Sequence, residues 1–183
     1  MSIDVANNTG LPTGTWSIDP SHSDVGFTAR HLMSKVRGLF EEFEGQIVIG
    51  DTASASATID LNSINTRDEQ RDTHLRSKDF FDTEASGPMT FQSTKAEQGG
   101  RGYLVTGDLS IKGVTRPVTL DVEYLGSETD PWGGTRAGFE GVAEISRKDF
   151  GVDFNIPMDG GRLLIGDKVS INVSVEAVLQ QEQ

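Results

Sequence analysis

The chain has no cysteine among its 183 residues, which excludes disulfide bonds, thiol catalysis and metal sites built on thiolates. It has no run of basic residues either, and its formal net charge is −12. This charge argues against a nucleic acid or an anionic membrane surface as a partner. No stretch approaches the roughly 20 apolar residues of a membrane span, and no secretory signal is recognisable. We therefore expect a cytoplasmic protein without stable membrane insertion.

The common catalytic signatures are also missing. The sequence contains no nucleophile elbow, no H-E-x-x-H pair, no phosphate-binding loop and no dinucleotide fingerprint. The three histidines, His22, His31 and His74, are not spaced as metal ligands usually are. We therefore assign no catalytic residue, no metal site and no cofactor, and we expect a protein that is not an enzyme.

Glycine and a two-residue alternation are what the chain does have. Its 21 glycines indicate many tight turns. From Trp16 onward apolar and polar residues alternate, most clearly in "ASASATIDL" at 53–61, and the pattern predicts about eight strands with one apolar face each. Residues 1–14 are polar and rich in Gly, Asn and Thr, so we expect a flexible tail there and a single domain over 15–180.

Strands with one apolar face must cover one another, because the chain offers no second layer of amphipathic helices. A two-sheet sandwich and a closed up-and-down barrel both meet this need. Small residues on the apolar face favour a barrel with a hollow interior, while a packed barrel whose taper they fit is the alternative. The predicted cavity wall comprises Phe27, Ala29, Phe43, Ile47, Ile49, Ala55, Ala57, Ile59, Leu109, Ile111 and Phe139.

One charged stretch, "SINTRDEQRDTHLRSKDFFD" at 63–82, interrupts the strand pattern. Thr66 and Glu69 match a capping box, which predicts a helix that begins at Thr66. This helix either lies across an open end of the barrel with its basic face toward the mouth, or is a solvated connection between strands. In the first case its basic face would bind the polar head of a ligand. The predicted mouth residues are Arg67, Arg71 and His74.

Several blocks of the sequence together resemble the YceI-like family, which binds polyisoprenoid lipids in an apolar tunnel. The resemblance runs from Trp16 to Ala177 and includes "WSIDPSHSDVGFTARHL", "VRGLFEEFEGQI", "PMTFQST", "GDLSIKGVTRPVTLDVEY", "FEGVAEISRKDFG", "IGDKVSI" and the charged stretch itself. It implies an extended, antiparallel, eight-stranded, lipocalin-like barrel with one short helix near an open end. It also implies a homodimer.

The function that the resemblance implies is binding, storage or transport of an isoprenoid lipid, of polyprenyl or isoprenoid quinone type, without catalysis. Many members have a Trp-Asn pair where this chain has Phe154-Asn155, which adds Phe154 to the predicted tunnel wall. Many also carry a secretory signal and work in the periplasm, so delivery across a periplasm is not carried over to this chain.

Two alternatives stay open. The first is a lipocalin-like enzyme that acts on a bound lipid or ester. Its mark would be a tight polar cluster inside the barrel with a strongly perturbed pKa, for example His22 or His31 beside an acid. The second is a stress-response interaction domain whose barrel is filled by its own side chains.

Overall fold

The computed structural model describes residues 9–181, which form a sheet of antiparallel strands with one α-helix. None of the helices in this part of the chain is both long and apolar enough to cross a membrane. The predicted tail falls partly outside it, at residues 1–8. The helix, α1, is Glu69–Arg76. The strands are β1 Gly14–Ile18, β2 Asp24–His31, β3 Ser34–Phe40, β4 Phe43–Ile49, β5 Ala53–Ile59, β6 Ile64–Asn65, β7 Met89–Gly99, β8 Gly102–Ile111, β9 Val114–Thr129, β10 Thr135–Ser146 and β11 Ile165–Leu179.

These strands occupy eight positions around a closed barrel. The long β11 pairs with β10 along one edge and with both β1 and β2 along the other, so β1 and β2 are successive halves of one position. In the same way β3 and β4 follow each other, and so do β5 and β6. Each position then pairs with its sequence neighbours, and β11 returns to β1. The predicted eight-stranded antiparallel barrel is confirmed, and the sandwich is excluded.

A 3-10 turn at Pro20–His22 separates β1 from β2, and a group of charges anchors it to the barrel. Arg136 on β10 donates hydrogen bonds to Asp19 Oδ2 at 2.9 Å, Asp130 Oδ2 at 3.0 Å and Glu176 Oε1 at 3.2 Å. The Arg136 guanidinium, with help from Ser21 and His22, holds the pKa of Asp19 well below its usual range. One arginine thus ties the turn before β2 to β11 and to the β9–β10 turn.

Buried side chains gather at the two ends of the barrel. At the end where β1 begins, the buried residues surround Trp16, whose Nε1 donates to Pro12 O at 3.2 Å. Leu11 is buried because its side chain packs into this group. The packed part of the chain therefore begins before residue 15. We call this the Trp16 end; its buried residues are Leu11, Trp16, Ile49, Ala96, Ala137 and Ala177.

The opposite end is closed by α1 and its flanking loops. We call it the helix end, because segments 61–64, 80–89 and 147–152 pack there beside the strands. Its buried residues are Phe40, Ile59, Leu61, Ile64, Phe80, Met89, Leu109, Ile111, Val118, Phe150 and Val152. Between the two clusters the strands carry half-buried residues. Side chains therefore line the middle of the barrel without filling it.

Replacing Arg136 with Gln should lower stability near neutral pH. Asp19 has a folded-state pKa below its unfolded value, so its contribution is full above about pH 4 and is lost as the pH falls further. The Arg136→Gln variant should therefore unfold at lower urea than wild type at pH 7, and the gap should narrow toward pH 2. Urea titrations followed by tryptophan fluorescence at several pH values would measure this.

The matched control is Lys168→Gln, which removes a well-exposed cation that lies 3.5 Å from Glu144. Exposed pairs of this kind contribute little, so its unfolding midpoint should stay close to that of wild type at every pH. A gap for Arg136→Gln that stayed constant down to pH 2 would contradict the role given to Asp19.

Candidate functional site

The space between the two packed ends is a cavity of about 500 Å³. Its wall is formed by inward-facing residues of the strands, α1 and the loops at the helix end. All twelve residues predicted from the sequence as tunnel wall lie in it; their contact with a ligand stays a prediction. They are Phe27, Ala29, Phe43, Ile47, Ile49, Ala55, Ala57, Ile59, Leu109, Ile111, Phe139 and Phe154.

Small side chains keep part of this wall thin. Ala53, Ala55 and Ala57 face the cavity from β5, and Ala29 and Gly141 face it from β2 and β10. In a self-filled barrel these positions would carry side chains long enough to meet across the centre. The cavity therefore follows directly from the side-chain sizes on the inner face.

Two phenylalanines line the cavity without filling it, because each lies over a glycine of the neighbouring strand. A Cβ built on Gly38 would lie 2.4 Å from the ring of Phe27, and one on Gly107 would lie 2.4 Å from the ring of Phe91. Since real Cβ atoms do not come this close to a ring atom, only glycine lets the rings lie flat against the barrel wall. The glycines thus preserve open space beside large aromatic side chains.

The helix at the cavity end begins later than the sequence predicted. Asp68 is the N-cap of α1, with its Oδ1 accepting from Arg71 N at 3.0 Å, so the predicted capping box at Thr66 is wrong. Thr66 is instead buried, and its backbone N donates to Asp72 Oδ1 at 2.9 Å. Arg67 has a φ of 67°, outside the helical region, which is why the helix cannot extend back to Thr66.

This shift separates the three predicted mouth residues. Arg71 and His74 lie on α1 and line the cavity, whereas Arg67 precedes the helix and lines a separate surface cleft with Glu41 and Glu42. Arg67 is therefore not at the mouth. Arg71 donates from Nε to Thr66 Oγ1 at 2.8 Å, which fixes its side chain at the cavity edge.

His74 is held by neighbours on three sides. Its Nε2 lies 2.8 Å from Asp79 Oδ2, and its ring meets those of Phe80 and Phe154 edge to face at 5.0 and 5.1 Å. These contacts place α1 against the barrel end, where Arg71, His74 and Leu75 contribute to the cavity wall. The helix is thus part of the site and not a solvated connection between strands.

Three further basic residues of the wall were not predicted, namely Arg30, His31 and Arg147. His31 could have been found, because it follows Phe27 and Ala29 on the same face at a spacing of two. All five basic residues of the wall lie toward the helix end, and none of the described Asp or Glu residues lines the cavity. In a chain with 28 Asp and Glu residues against 16 Lys and Arg and 3 His, this is a marked separation of charge.

Arg147 has a positioning role within this group. It is buried and donates to the carbonyl oxygens of Val152 at 2.8 Å, Phe154 at 2.9 Å and Gly166 at 2.9 Å. Burial lowers the pKa of Arg147, and the nearby Asp167 partly opposes this effect. Its hydrogen bonds hold the loop that carries Phe154 against the start of β11.

Neither of the two histidines considered for an enzyme, His22 and His31, meets an acid inside the described part of the barrel. His22 Nδ1 lies 2.9 Å from Asp19 Oδ2, but the ring is exposed on the outer surface at the 3-10 turn. His31 faces the cavity, where the described wall supplies no carboxylate. Neither His22 nor His31 therefore lies beside an acid inside the cavity, and the His74–Asp79 pair is the histidine and acid that the described residues bring together at its edge.

A closed up-and-down barrel with an apolar internal cavity and a helix across one end is a lipocalin-like architecture. The sequence model of the YceI-like domain matches residues 16–177. The chain therefore belongs to the YceI-like family. Protein YceI of Escherichia coli O17:K52:H18 is 39% identical over 165 residues, which cover 87% of this chain and 83% of that protein.

Solved structures agree with the fold. Burkholderia cenocepacia BcnA matches with a TM-score of 0.73 and 26% identity, over 87% of this chain and 98% of its own. A domain of Saccharophagus degradans, described as a polyisoprenoid-binding domain, matches with a TM-score of 0.68 and 18% identity, over 92% of this chain and all of its own. At that identity the likeness shows a shared fold.

Replacing Gly38 with Ala should destabilise the protein and reduce its cavity. The new methyl group would force the Phe27 ring away from the wall and into the lumen, at a cost of about 1–3 kcal/mol in the free energy of unfolding. Urea unfolding would measure the loss, and uptake of an apolar fluorescent probe would report the smaller cavity.

Gly138→Ala is the matched control, because a Cβ there would meet only Leu125, at an ordinary 3.5 Å. It should keep both stability and probe uptake close to wild type. Equal effects of the two substitutions would show that the contact between Phe27 and Gly38 does not explain the loss of stability or of probe uptake.

Proposed function

We propose that this protein binds an isoprenoid lipid in the barrel cavity and stores or transports it without chemical change. The observation that carries the proposal is the internal cavity of about 500 Å³ with its apolar wall of strand residues. Ligand cavities generally range from about 300 to 1,000 Å³, so this one is of the size that holds a small lipid tail. The polyisoprenoid-binding domain that shares the fold agrees with this choice of ligand.

The hydrocarbon tail would supply most of the binding free energy. Burying a methylene group contributes about 0.8 kcal/mol, so two or three five-carbon units contribute roughly 8–12 kcal/mol before ordering costs are deducted. The remainder corresponds to an affinity near micromolar. A tail longer than the cavity would meet the packed clusters at the barrel ends. It would therefore have to fold back inside the cavity or protrude through an opening at the helix end.

The head group would lie at the helix end, beside the basic residues of the wall. Arg71, His74 and His31 offer hydrogen-bond donors there, and no described carboxylate lines the cavity to repel an anion. An arginine side chain can donate two parallel hydrogen bonds to a phosphate. A prenyl phosphate should therefore bind more tightly than the corresponding prenol.

The charge preference can be tested on Arg71 with Arg67 as its control. Replacing Arg71 with Gln should reduce the preference for a prenyl phosphate over the prenol by roughly tenfold, because one charge-assisted contact is lost. Arg67→Gln should leave the preference unchanged, because Arg67 lies outside the cavity. Displacement of a bound apolar fluorophore by each lipid would measure both affinities.

Retention of probe binding by Arg71→Gln would show that the barrel is intact, even though the Thr66 contact is gone. Equal preferences in wild type and in Arg71→Gln would remove Arg71 from the head-group site.

The tail site can be tested by filling it. Ala55→Phe places a ring in the cavity and should weaken lipid binding by roughly tenfold or more, because it displaces several carbons of the tail. Organic extraction of the purified proteins followed by mass spectrometry would compare the bound lipid. Glu140→Phe, on the exposed outer face of β10, is the matched control and should retain the lipid.

Wild-type protein that yielded no lipid on extraction and took up no added isoprenoid would refute the proposed function. The homodimer and the cytoplasmic location stay predictions. Light scattering of the purified protein and fractionation of cells would test them.

A further inference from the structure

Exposed apolar side chains adjoin the cavity wall at the helix end, in the region of Ile156 and Leu164, and we infer that the cavity opens there. Met33, at the β2–β3 turn, is 95% exposed, and its neighbour Leu32 is 48% exposed. Ile156 and Leu163, on the loop before β11, are also exposed. We call these four residues the mouth rim. Single exposed apolar residues are ordinary on protein surfaces, but four of them around one opening are not.

Hydrogen bonds bring the two segments of the mouth rim together. Leu32 N donates to Leu164 O at 2.9 Å, and Leu164 N donates to Ile156 O at 3.1 Å. Within the loop Pro157 and Leu163 form an isolated β-bridge, which makes the loop a small hairpin. Ile156 and Leu164 also line the cavity, so the mouth rim is continuous with the cavity wall.

The β2–β3 turn departs from ordinary turn chemistry. Leu32 has a φ of 54°, a backbone region that favours Gly, Asn or Asp in tight turns. Leu32 and Met33 instead supply two large apolar side chains at an exposed tip. Departures of this kind concentrate at functional positions, because a polar turn would be more favourable for folding alone.

The charges around this turn differ from those of the chain as a whole. The segment 30–37 holds Arg30, Lys35 and Arg37 and no acidic residue. The formal net charge of −12, which argues against an anionic partner for the chain as a whole, therefore does not describe this turn. Arg30 lies directly opposite Lys35 in the β2–β3 pair, and like charges in such positions repel. An anionic surface in contact with this turn would relieve the repulsion. On the other loop Asp159 and Arg162 balance each other between Ile156 and Leu163, and Asp153 precedes them.

We propose that the mouth rim docks on an anionic lipid bilayer, with its four apolar side chains in the interfacial region and Lys35 and Arg37 against lipid head groups. This inference rests on the proposed lipid-binding function, because docking would let a lipid move between bilayer and cavity without crossing water. The contact is peripheral and reversible. A bilayer suits the rim better than a second copy of the chain, because a two-fold interface would bring the basic turns together.

The opposite end of the barrel provides a matched control. Trp132, in the β9–β10 turn at the Trp16 end, is 85% exposed. It therefore offers an apolar side chain to a membrane as readily as Met33 does, but far from the mouth. The double variant Met33→Ser with Leu163→Ser alters the mouth rim without touching a residue of the cavity wall.

Flotation of the full chain with phosphatidylcholine vesicles, with and without phosphatidylglycerol, tests the proposal. Wild type should float with the anionic vesicles. The Met33→Ser, Leu163→Ser variant should bind these vesicles at least roughly tenfold more weakly. Trp132→Ser should float like wild type. Lys35→Gln with Arg37→Gln should abolish the preference for anionic vesicles and its salt dependence.

Three results would overturn docking: wild type that does not float, Trp132→Ser that loses as much as the mouth-rim variant, or a wild-type dimer that the mouth-rim variant converts to a monomer. Uptake of an isoprenoid probe without vesicles is measured in parallel. That uptake should be unchanged in the mouth-rim variant. Loss of uptake in this variant would show that the cavity is damaged, and would contradict the claim that the mouth rim serves docking and not the cavity itself. Absence of uptake in wild type would refute the lipid-binding function itself, independently of the flotation result.

Discussion

The hydrogen bonds between β11 and the β1–β2 pair are the constraint on which the rest of the structure depends. They join the last strand to the first, so that the sheet closes on itself. Because backbone hydrogen bonds between neighbouring strands hold this wall together, side chains in the centre need not meet across the barrel. Packing can be confined to the two ends, around Trp16 and beneath α1, and the middle can remain open.

The site has two chemically distinct parts because the chain separates its charges. None of the described acidic residues lines the cavity, while Arg71, His74 and Arg147 face it at the helix end. Each of these basic side chains is already oriented by a protein partner: Thr66, Asp79 or the carbonyls of the 152–166 segment. A ligand's head group would thus meet donors that are held in place before it arrives, which reduces the entropy lost on binding.

The alternation of side chains was enough to predict which residues face inward, because a period of two assigns every second residue to the same face. It did not decide between a sandwich and a barrel; small inner residues favoured the barrel and the family resemblance implied it. Phe27, Ala55 and Leu109 were placed on the inner face on that basis. The helix start was not predictable in this way. The sequence showed a capping box at Thr66, but Thr66 is hydrogen-bonded to Asp72, and Asp68 caps the helix instead. Whether Thr66 or Asp68 caps the helix depends on which side chain is buried, and a sequence pattern does not show this. The contact of Phe27 with Gly38 was not predictable either, because it joins residues on different strands.

The two packed clusters at the barrel ends have a consequence for how this family can diversify. Residues such as Trp16 and Phe150 belong to the packed clusters, whereas Ala29 and Ala55 line the lumen and belong to neither cluster. If the lumen holds a ligand as proposed, exchanges at such positions alter which ligand fits while the framework stays intact. New specificities would be open to selection through single substitutions, without a compensating change elsewhere in the barrel.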